Sequence, residues 1–310
     1  MNAAGQQPPP GRGRRAIALI VNPAAGGGRA GRLLGAVGQA LTRHGLPHRV
    51  ERTRGLEHAA ELARAAAAGG ETAVAFGGDG LIGAVAGALA DTGAILGILP
   101  GGRGNDLARV LGIPLDPVAA CAVLAAGTAR PIDLGEVQGR PFVGIASCGF
   151  DSEANRIANR TRLVRGNLVY TYGALRALAT WRPATFTVTL DDQRTRTLVG
   201  YTVAAANSRA YGGGMLLAPA AELDDGRLDV VLCRQVSKLR FLRLLPGVFA
   251  GRHVHDPAVS VERAHTVRIA ADRPFTLYAD GDPIAELPAT VRVRPAAVRV
   301  LVPGPAGGPG

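Results

Sequence analysis

Lysine is almost missing from this sequence, whose 310 residues include only Lys238. The other 34 of its 35 basic residues are arginine, and with 24 acidic residues they give a formal charge of +11. This excess favours an anionic partner such as a nucleotide, an acidic lipid surface or a nucleic acid. A GC-rich coding bias would produce the same arginine content without a ligand, so the charge alone does not identify one.

Cysteines and long apolar runs are scarce as well. Cys121, Cys148 and Cys233 are odd in number and lack CxxC spacing, which argues against a disulfide framework or a zinc site and for a reducing cytoplasm. Asp91 interrupts the most apolar stretch, residues 81–99, so we expect a buried helix, a turn and a strand there rather than a membrane span. Residues 1–14 and 303–310 are rich in proline and glycine and are expected to be disordered tails, the first without the apolar core of a signal peptide.

Residues 15–133 alternate apolar, strand-like runs with helix-like runs. This alternation is typical of βαβ units, so we expect an α/β domain with a parallel sheet. The predicted strands are 16–21, 48–53, 72–76 and 95–99, and the predicted helices are 31–44, 56–68, 81–90 and one that starts at 106.

Residues 134–289 have a different pattern, in which short β-type runs are separated by polar turns. We expect a mostly antiparallel, β-rich second domain after a boundary near 132–135. The final apolar runs, 290–294 and 298–302, are predicted strands that the pattern alone assigns to neither domain. The other predicted elements are strands at 140–147, 185–190, 195–207, 228–234, 266–271 and 274–280, and helices at 166–181 and 237–252.

Three glycine-rich loops, Asn22–Gly28, Phe76–Gly80 and Leu99–Asp106, each follow a predicted strand and precede a predicted helix. They therefore lie at the carboxyl edge of the sheet, where open α/β folds bind ligands. Glycine lets backbone N–H groups approach a bulky anion, and three such loops in order indicate a site for nucleotide phosphates. Asp79 is then a candidate ligand of a Mg²⁺-nucleotide, although it could simply cap its helix.

The third loop adds polar side chains to this candidate site. Arg103 carries a guanidinium fork that suits a phosphate. Asn105 and Asp106 stand directly before the next predicted helix, where either could serve only as its cap. The preceding glycines are unusually permissive for a plain cap, which favours a role in binding.

Two later turns carry carboxylates. Asp280 and Asp282 flank a glycine, which is typical of a hairpin but also fits a pair in which one carboxylate orients a metal and the other accepts a proton from an attacking hydroxyl. The acidic turn Glu222–Arg227 is either solvated or binds a structural cation through oxygen ligands. His253 and His255 have no acids arranged around them, and we expect no metal there.

The segment 237–252 places Leu239, Leu242, Leu245 and Phe249 at helical spacing, with basic residues on its other faces. Such a helix most simply packs on a core. The alternative is an interfacial surface that meets an anionic membrane.

The ordered motifs of residues 16–302 resemble those of the diacylglycerol kinase catalytic family, which includes soluble bacterial diacylglycerol kinases, YegS-type lipid kinases, and sphingosine and ceramide kinases. The ordered set is specific even though each motif alone is weak. The motifs are Asn22-Pro23-x-x-Gly26, Gly77-Gly78-Asp79-Gly80, Pro100-x-Gly102-x-x-Asn105-Asp106-x-Ala108-Arg109, Asp225-Gly226 and Asp280-Gly281-Asp282.

The resemblance implies two domains with ATP in the cleft, a lipid acceptor on the β-rich side, and a strand at 290–302 that rejoins the first domain. It implies Asp282 as general base, supported by Asp280, and a structural Mg²⁺ at Asp225 with the main-chain oxygens of Glu222 and Arg227. The residues implied to contact Mg²⁺-ATP are Asn22, Pro23, Ala24, Ala25, Gly26, Thr53, Gly77, Gly78, Asp79, Gly80, Leu81, Ile82, Gly83, Arg103, Asn105 and Asp106.

Three positions depart from the family pattern. Leu81 and Arg103 stand where the family usually has threonines, and Asp282 stands where it has glutamate. The shorter Asp282 would move the base by about 1.5 Å, roughly one methylene. We interpret these changes as variation within an active enzyme.

We therefore expect an ATP- and Mg²⁺-dependent lipid kinase that phosphorylates a lipid hydroxyl, most simply that of diacylglycerol to give phosphatidic acid. We expect it in the cytoplasm, peripherally bound to anionic membrane, without a nucleic-acid partner; its oligomeric state, including a homodimer, is open. Two alternatives stay open, a soluble-substrate kinase of the NAD kinase type and a non-catalytic lipid-binding module at the membrane surface.

Overall fold

The computed structural model describes residues 16–160 and 168–304. Strands and helices alternate through its first part, as expected. Every residue of the first and third strands is buried, which is typical of parallel strands covered on both faces. The elements are β1 (Ile17–Val21), α1 (Ala25–Arg43), β2 (His48–Arg52), α2 (Leu56–Ala68), β3 (Thr72–Gly77), α3 (Asp79–Leu89), β4 (Ile95–Pro100), α4 (Asp106–Val110), α5 (Pro117–Ala126) and β5 (Thr128–Val137).

The first four strands form a parallel sheet in the order β2-β1-β3-β4. Val21 lies opposite Phe76, and Phe76 lies opposite Leu99. The three glycine loops that follow these residues therefore leave the sheet at one edge, because parallel strands share their carboxyl ends. The predicted parallel sheet is confirmed.

Within the described residues, every pair formed between two strands of the second part is antiparallel, which confirms the predicted β-rich class. Its helices interrupt the strand series in two places. The elements are β6 (Arg140–Phe142), β7 (Ile145–Gly149), α6 (Phe150–Arg160), α7 (Leu168–Thr180), β8 (Ala184–Leu190), β9 (Arg194–Ala206), β10 (Leu228–Arg234), α8 (Lys238–Val248), β11 (Val259–Ala264), β12 (Thr266–Ala271), β13 (Thr276–Ala279), β14 (Asp282–Glu286) and β15 (Ala289–Val302).

The last strand, β15, connects the two parts of the sheet. It pairs antiparallel with β12 near its start and with β5 along most of its length. At its end it pairs in parallel with β4, where Arg299 lies opposite Ile95. Strand β5 runs without a break through the predicted domain boundary at 132–135, which stays a prediction.

Several elements differ from the sequence predictions. Helix α5 was missed because it is apolar on nearly all faces and shows no helical period. The predicted strand 140–147 is divided into β6 and β7, because the amides of Val143 and Gly144 donate to the Asp280 carboxylate instead of a neighbouring strand. Helix α6 and strands β5, β11 and β14 were also missed.

Two further predictions concern the helical segments. The predicted helix 166–181 has its first two residues outside the described ranges, and α7 covers the rest except its last residue. Among residues 16–160 and 168–304, no helix is both long enough and apolar enough to span a membrane. The predicted tails lie mostly outside the described residues.

A substitution in β15 tests its role in joining the two parts. Leu301 is completely buried, so Leu301→Ala should lower the free energy of unfolding by about 2–5 kcal/mol through lost apolar contact and a residual cavity. The measurement is urea denaturation followed by circular dichroism. The control is Val261→Ala on β11, where a 38% exposed side chain predicts a change within about 0.5 kcal/mol. Equal effects at both positions would contradict this account of β15.

Candidate active site

The glycine loops that follow β3 and β4 are in direct backbone contact. The amide of Gly101 donates to the carbonyl oxygen of Gly77 at 2.7 Å. A Cβ atom on Gly102 would lie only 2.5 Å from the Cα atom of Gly78, so no larger residue fits there. Glycine at these positions is therefore a requirement of the packing between the loops as well as a means of exposing amides.

Asp79 connects these two loops through its side chain. Its two carboxylate oxygens accept hydrogen bonds from the amides of Asn105, at 2.8 Å, and Asp106, at 2.7 Å. Its own helix, α3, has Gly78 at the N-cap and no side-chain cap. The alternative in which Asp79 caps its own helix is therefore wrong: the carboxylate holds the start of the next helix, α4.

Asn105 does not cap α4 either. Its φ is 54°, in the left-handed region, and its side-chain amide exchanges two hydrogen bonds with the backbone of Gly102. Arg109 donates from Nε to the carbonyl oxygen of Gly104. These bonds hold the third glycine loop in one shape around Asp79.

Asp106 extends the contact to the β-rich part. Its Oδ2 atom accepts a hydrogen bond from the amide of Gly213 at 2.9 Å, while its Oδ1 atom is buried without a hydrogen-bond partner among the described residues. Burial raises the pKa of Asp106, the Gly213 amide opposes this shift, and the negative charge of Asp79 adds to it. A divalent cation between the two carboxylates would offset the desolvation of Asp106 and its repulsion by Asp79. The two carboxylates therefore fit Mg²⁺.

No sequence motif indicated the Gly212–Gly214 loop that reaches Asp106. All three glycines have positive φ, between 61° and 106°, a conformation that other residues rarely adopt. The sequence does contain a signal for this loop, because three consecutive glycines also occur at Gly26–Gly28, whose φ values are positive as well. It was overlooked because it does not lie in a βαβ unit.

The first predicted nucleotide loop lies beside the other two. The Asn22 side chain accepts a hydrogen bond from the amide of Ala24, and the Asn22 amide donates to the carbonyl oxygen of Phe76. Thr53 follows β2, and its amide donates a hydrogen bond to the carbonyl oxygen of Val21, the residue before Asn22. Pro23 continues this loop, and Ala25 and Gly26 begin α1, which has non-helical, positive φ values at Gly26–Gly28. A Cβ on Gly26 would collide with the carbonyl oxygen of Gly101.

Two predicted ATP contacts, Leu81 and Ile82, have side chains in the apolar core, so each could offer only its backbone. Leu81 packs against Gly77, which accounts for an apolar residue at this departure from the family pattern. Arg103 is exposed and has no hydrogen bond or ion pair with any described residue. The Arg103 guanidinium is therefore available to an anion.

The Asp280–Gly281 pair forms a tight turn between β13 and β14, with φ values of 51° and 95°. The hairpin interpretation of this motif is confirmed, and the turn also positions a carboxylate. Asp280 accepts hydrogen bonds from three consecutive amides, those of residues 143–145, at 2.8–3.1 Å. Burial raises the pKa of Asp280 to about 6 despite these amides, and the charge of Asp79 contributes in the same direction.

The Asp280 turn faces the helix that starts at Asp79. A Cβ atom on Gly83, one helical turn after Asp79, would lie 3.7 Å from the Oδ2 atom of Asp280. Asp282 is exposed at the start of β14, opposite Ala279, and its carboxylate makes no hydrogen bond or ion pair with a described residue. The two carboxylates thus have different environments: Asp280 is fixed by amides and Asp282 is free to meet a ligand.

Asp151 is an acidic residue that no sequence motif indicated. It follows Gly149 at the end of β7, in the same strand–glycine–acid order as Gly77 and Asp79. Thr202 donates to its Oδ1 atom at 3.3 Å, and its Oδ2 atom is buried without a hydrogen-bond partner among the described residues. Burial raises the pKa of Asp151 to about 6.

The acidic turn Glu222–Arg227 fits a cation only in part. Asp225 accepts the amide of Arg227 at one oxygen, and its other oxygen is buried without a hydrogen bond. The guanidinium of Arg263 lies 3.6 Å from that second oxygen. No cluster of three or more acidic, histidine or cysteine side chains within the described ranges is arranged to bind a metal. The structural Mg²⁺ at this turn stays a prediction.

Both parts of the chain match known protein families. Residues 16–137 match the diacylglycerol kinase catalytic domain, and residues 144–302 match the YegS C-terminal NAD kinase beta sandwich-like domain. A diacylglycerol kinase of Mycobacterium tuberculosis is 40% identical over 223 residues, which cover 69% of this chain and 71% of the relative. The chain belongs to the diacylglycerol kinase family. It is therefore an enzyme of the lipid kinase class.

Other comparisons agree with this membership. A Pseudomonas aeruginosa protein named "Probable lipid kinase YegS-like" is 37% identical over 212 residues, 68% of each chain. The crystal structure of a Bacillus anthracis diacylglycerol kinase superposes with a TM-score of 0.72 at 19% identity, covering 94% of this chain and 98% of that one. An Archaeoglobus fulgidus NAD kinase gives a TM-score of 0.50 at 14% identity over 93% of each chain. The two structural comparisons support the shared fold alone.

Gly104 offers a direct test of the contact between the loops. A Cβ at this position would lie 2.8 Å from Oδ2 of Asp79 and 3.2 Å from Oδ2 of Asp106, so Gly104→Ala should displace both carboxylates. We expect a loss of kinase activity of about 10²-fold, the cost of a displacement near 1 Å, measured with labelled ATP and lipid. The matched control is Gly35→Ala in α1, where a Cβ meets open space and activity should be unchanged. Full activity in Gly104→Ala would contradict the proposed geometry.

Proposed function

We propose that this kinase transfers the γ-phosphoryl group of ATP to the hydroxyl group of a membrane lipid, most simply diacylglycerol, to give phosphatidic acid. The observation that carries the proposal is the close approach of Asp280 to α3, which brings an acidic turn of the β-rich part to the helix that begins at Asp79. Membership of the diacylglycerol kinase family supports the reaction class.

The donor side would be formed by the glycine loops. The first turn of α3 has backbone amides without a side-chain cap, and the positive end of a helix dipole favours phosphate. Arg103 would add a charge-assisted contact to the same phosphates. Asp79 and Asp106 would hold Mg²⁺, which supplies charge neutralisation at the phosphate oxygens when it is bound.

The acceptor side would use the Asp280 turn. Asp280 is held by three amides and would keep the hairpin in place, and the exposed Asp282 would accept the proton of the lipid hydroxyl. Positioning and electrostatic stabilisation account for most of the catalysis in such a transfer. The short Asp282 side chain requires the hydroxyl to approach the turn more closely than a glutamate would.

A cavity beside this turn suits part of a lipid. Its volume is about 360 Å³, and its lining includes Trp181, Phe275 and Tyr278. Tyr278 lies on β13, two residues before Asp280, so the strand connects the cavity to the proposed base. The lining also includes Arg182 and Arg273, and the Arg273 guanidinium lies over the rings of Trp181 and Phe275. This mixed lining offers polar contacts to the glycerol backbone beside apolar contact to the first carbons of an acyl chain. We accordingly propose that the enzyme works peripherally at a membrane surface in the cytoplasm.

Substitutions on the two sides of the cleft test the proposal. Asp282→Asn should lower phosphate transfer from labelled ATP to diacylglycerol by about 10²–10⁴-fold, because an amide cannot accept the hydroxyl proton. Asp79→Asn should also be strongly impaired. The new side-chain NH₂ group would replace one acceptor oxygen, so the backbone amide of Asn105 or of Asp106 would lose its acceptor. Asp282→Glu should keep substantial activity. The readout is thin-layer chromatography of the labelled lipid.

The control is Asp192→Asn, an exposed position in the turn between β8 and β9 that should leave the rate unchanged. Wild-type rates in both Asp79→Asn and Asp282→Asn would refute the proposed roles. A native lipid extract in the same assay identifies the acceptor. Vesicle binding without any phosphate transfer would support the non-catalytic alternative instead.

A further inference from the structure

Helix α8 presents apolar side chains on two different faces. Phe241 on the inner face is buried, with its ring centroid 4.7 Å from that of Phe150 and 3.9 Å from that of Tyr201. Ser237 caps the helix by accepting a hydrogen bond from the amide of Arg240. This inner face is sufficient to hold the helix on the protein, so the second apolar face needs another explanation.

The second face carries four exposed residues that we call the outer stripe: Leu239, Leu242, Pro246 and Phe249. Leu239 is 59% exposed, Leu242 39% and Phe249 61%. Their spacing places them within an arc of about 80° at 3.6 residues per turn, and Phe249 keeps a helical backbone conformation. Three of the eight large apolar side chains that are exposed within the described ranges therefore lie on one strip of one helix.

Basic residues border the outer stripe. Arg243 lies on one side of it and Lys238 on the other, and α8 contains no acidic residue. Asp256, a nearby acid, is paired with Arg240 at 2.8 Å. The guanidinium groups of Arg243 and Arg252 are exposed and make no hydrogen bond or ion pair with a described residue. Lys238 donates to the carbonyl oxygen of Ala179 at 2.8 Å, so the unpaired cations are the two arginines. An apolar strip bordered by basic side chains complements an anionic membrane surface.

The outer stripe is connected to the active site by short backbone contacts. At the end of α8, the carbonyl oxygen of Val248 accepts a hydrogen bond from the amide of Leu216 at 2.9 Å. Leu216 lies two residues after Gly214, in the loop whose Gly213 amide donates to Asp106. A surface that holds α8 therefore also holds the loop that contacts the predicted phosphate site.

We propose that the outer stripe of α8 inserts into the interfacial layer of an anionic lipid bilayer. The proposal rests on the proposed function only in requiring that the acceptor be a membrane lipid. A second copy of this chain is a poorer occupant, because a twofold contact through the stripe would bring the basic borders of both copies together. Leu239, Leu242 and Phe249 would be buried among acyl chains while Arg243 and Arg252 contact lipid phosphates.

The test is co-sedimentation of the full chain with vesicles in the absence of ATP. Vesicles of phosphatidylcholine with phosphatidylglycerol should bind the wild type, and the triple variant Leu239→Ser, Leu242→Ser, Phe249→Ser should bind at least about tenfold more weakly. The matched control replaces three exposed valines on strands elsewhere and should bind as the wild type does: Val50→Ser, Val199→Ser and Val261→Ser. Arg243→Glu with Arg252→Glu should weaken binding to anionic vesicles and leave the weak binding to pure phosphatidylcholine unchanged.

A second readout separates this surface from the proposed reaction. The triple variant should phosphorylate a water-soluble short-chain diacylglycerol at the wild-type rate and a vesicle-embedded one at least about tenfold more slowly. Wild-type vesicle binding by the triple variant would overturn the proposal, as would a solution dimer that only the triple variant disrupts. Stripe-dependent binding by an enzyme that phosphorylates no lipid would support this surface and refute the proposed function.

Discussion

The carboxylate of Asp79 holds together a region of the chain that has almost no side chains with which to pack. The loops after β3 and β4 consist mainly of glycine, so apolar contact cannot fix their relative position. Two charge-assisted hydrogen bonds, from the amides of Asn105 and Asp106, supply that constraint. Asp106 then transmits it to Gly213 and so to the β-rich part. The proposed phosphate site depends on this series of carboxylate–amide contacts.

Carboxylates also accept hydrogen bonds from backbone amides at other junctions of the fold. Asp133 on β5 accepts hydrogen bonds from the amides of Gly226 and Ala296, which belong to two distant segments. Asp280 accepts hydrogen bonds from the amides of residues 143–145, where β6 ends and β7 begins. Burial raises the pKa of both carboxyl groups, so each contact has a desolvation cost. These buried carboxylates lie where two segments that are distant in the chain are held at a fixed distance.

Much of the fold could be predicted because its first part follows simple periodic rules. Strands β1–β4 begin and end within one residue of the strands predicted from the sequence, and the glycine loops lie at one sheet edge as expected. The pattern could not show which loops meet across the two parts, so the contacts of Gly212–Gly214 and the burial of Asp151 were missed. Nor could it show that Asp79 caps the following helix, because that depends on the distance between loops 26 residues apart.

We propose that this kinase directs the phosphoryl group of ATP to a lipid and not to a soluble acceptor such as NAD. The most direct measurement gives the wild-type enzyme limiting γ-labelled ATP together with diacylglycerol in anionic vesicles and an equal concentration of NAD. We expect the label to appear in phosphatidic acid and NAD to stay unlabelled. Label in NAD, with the lipid left unlabelled, would contradict it.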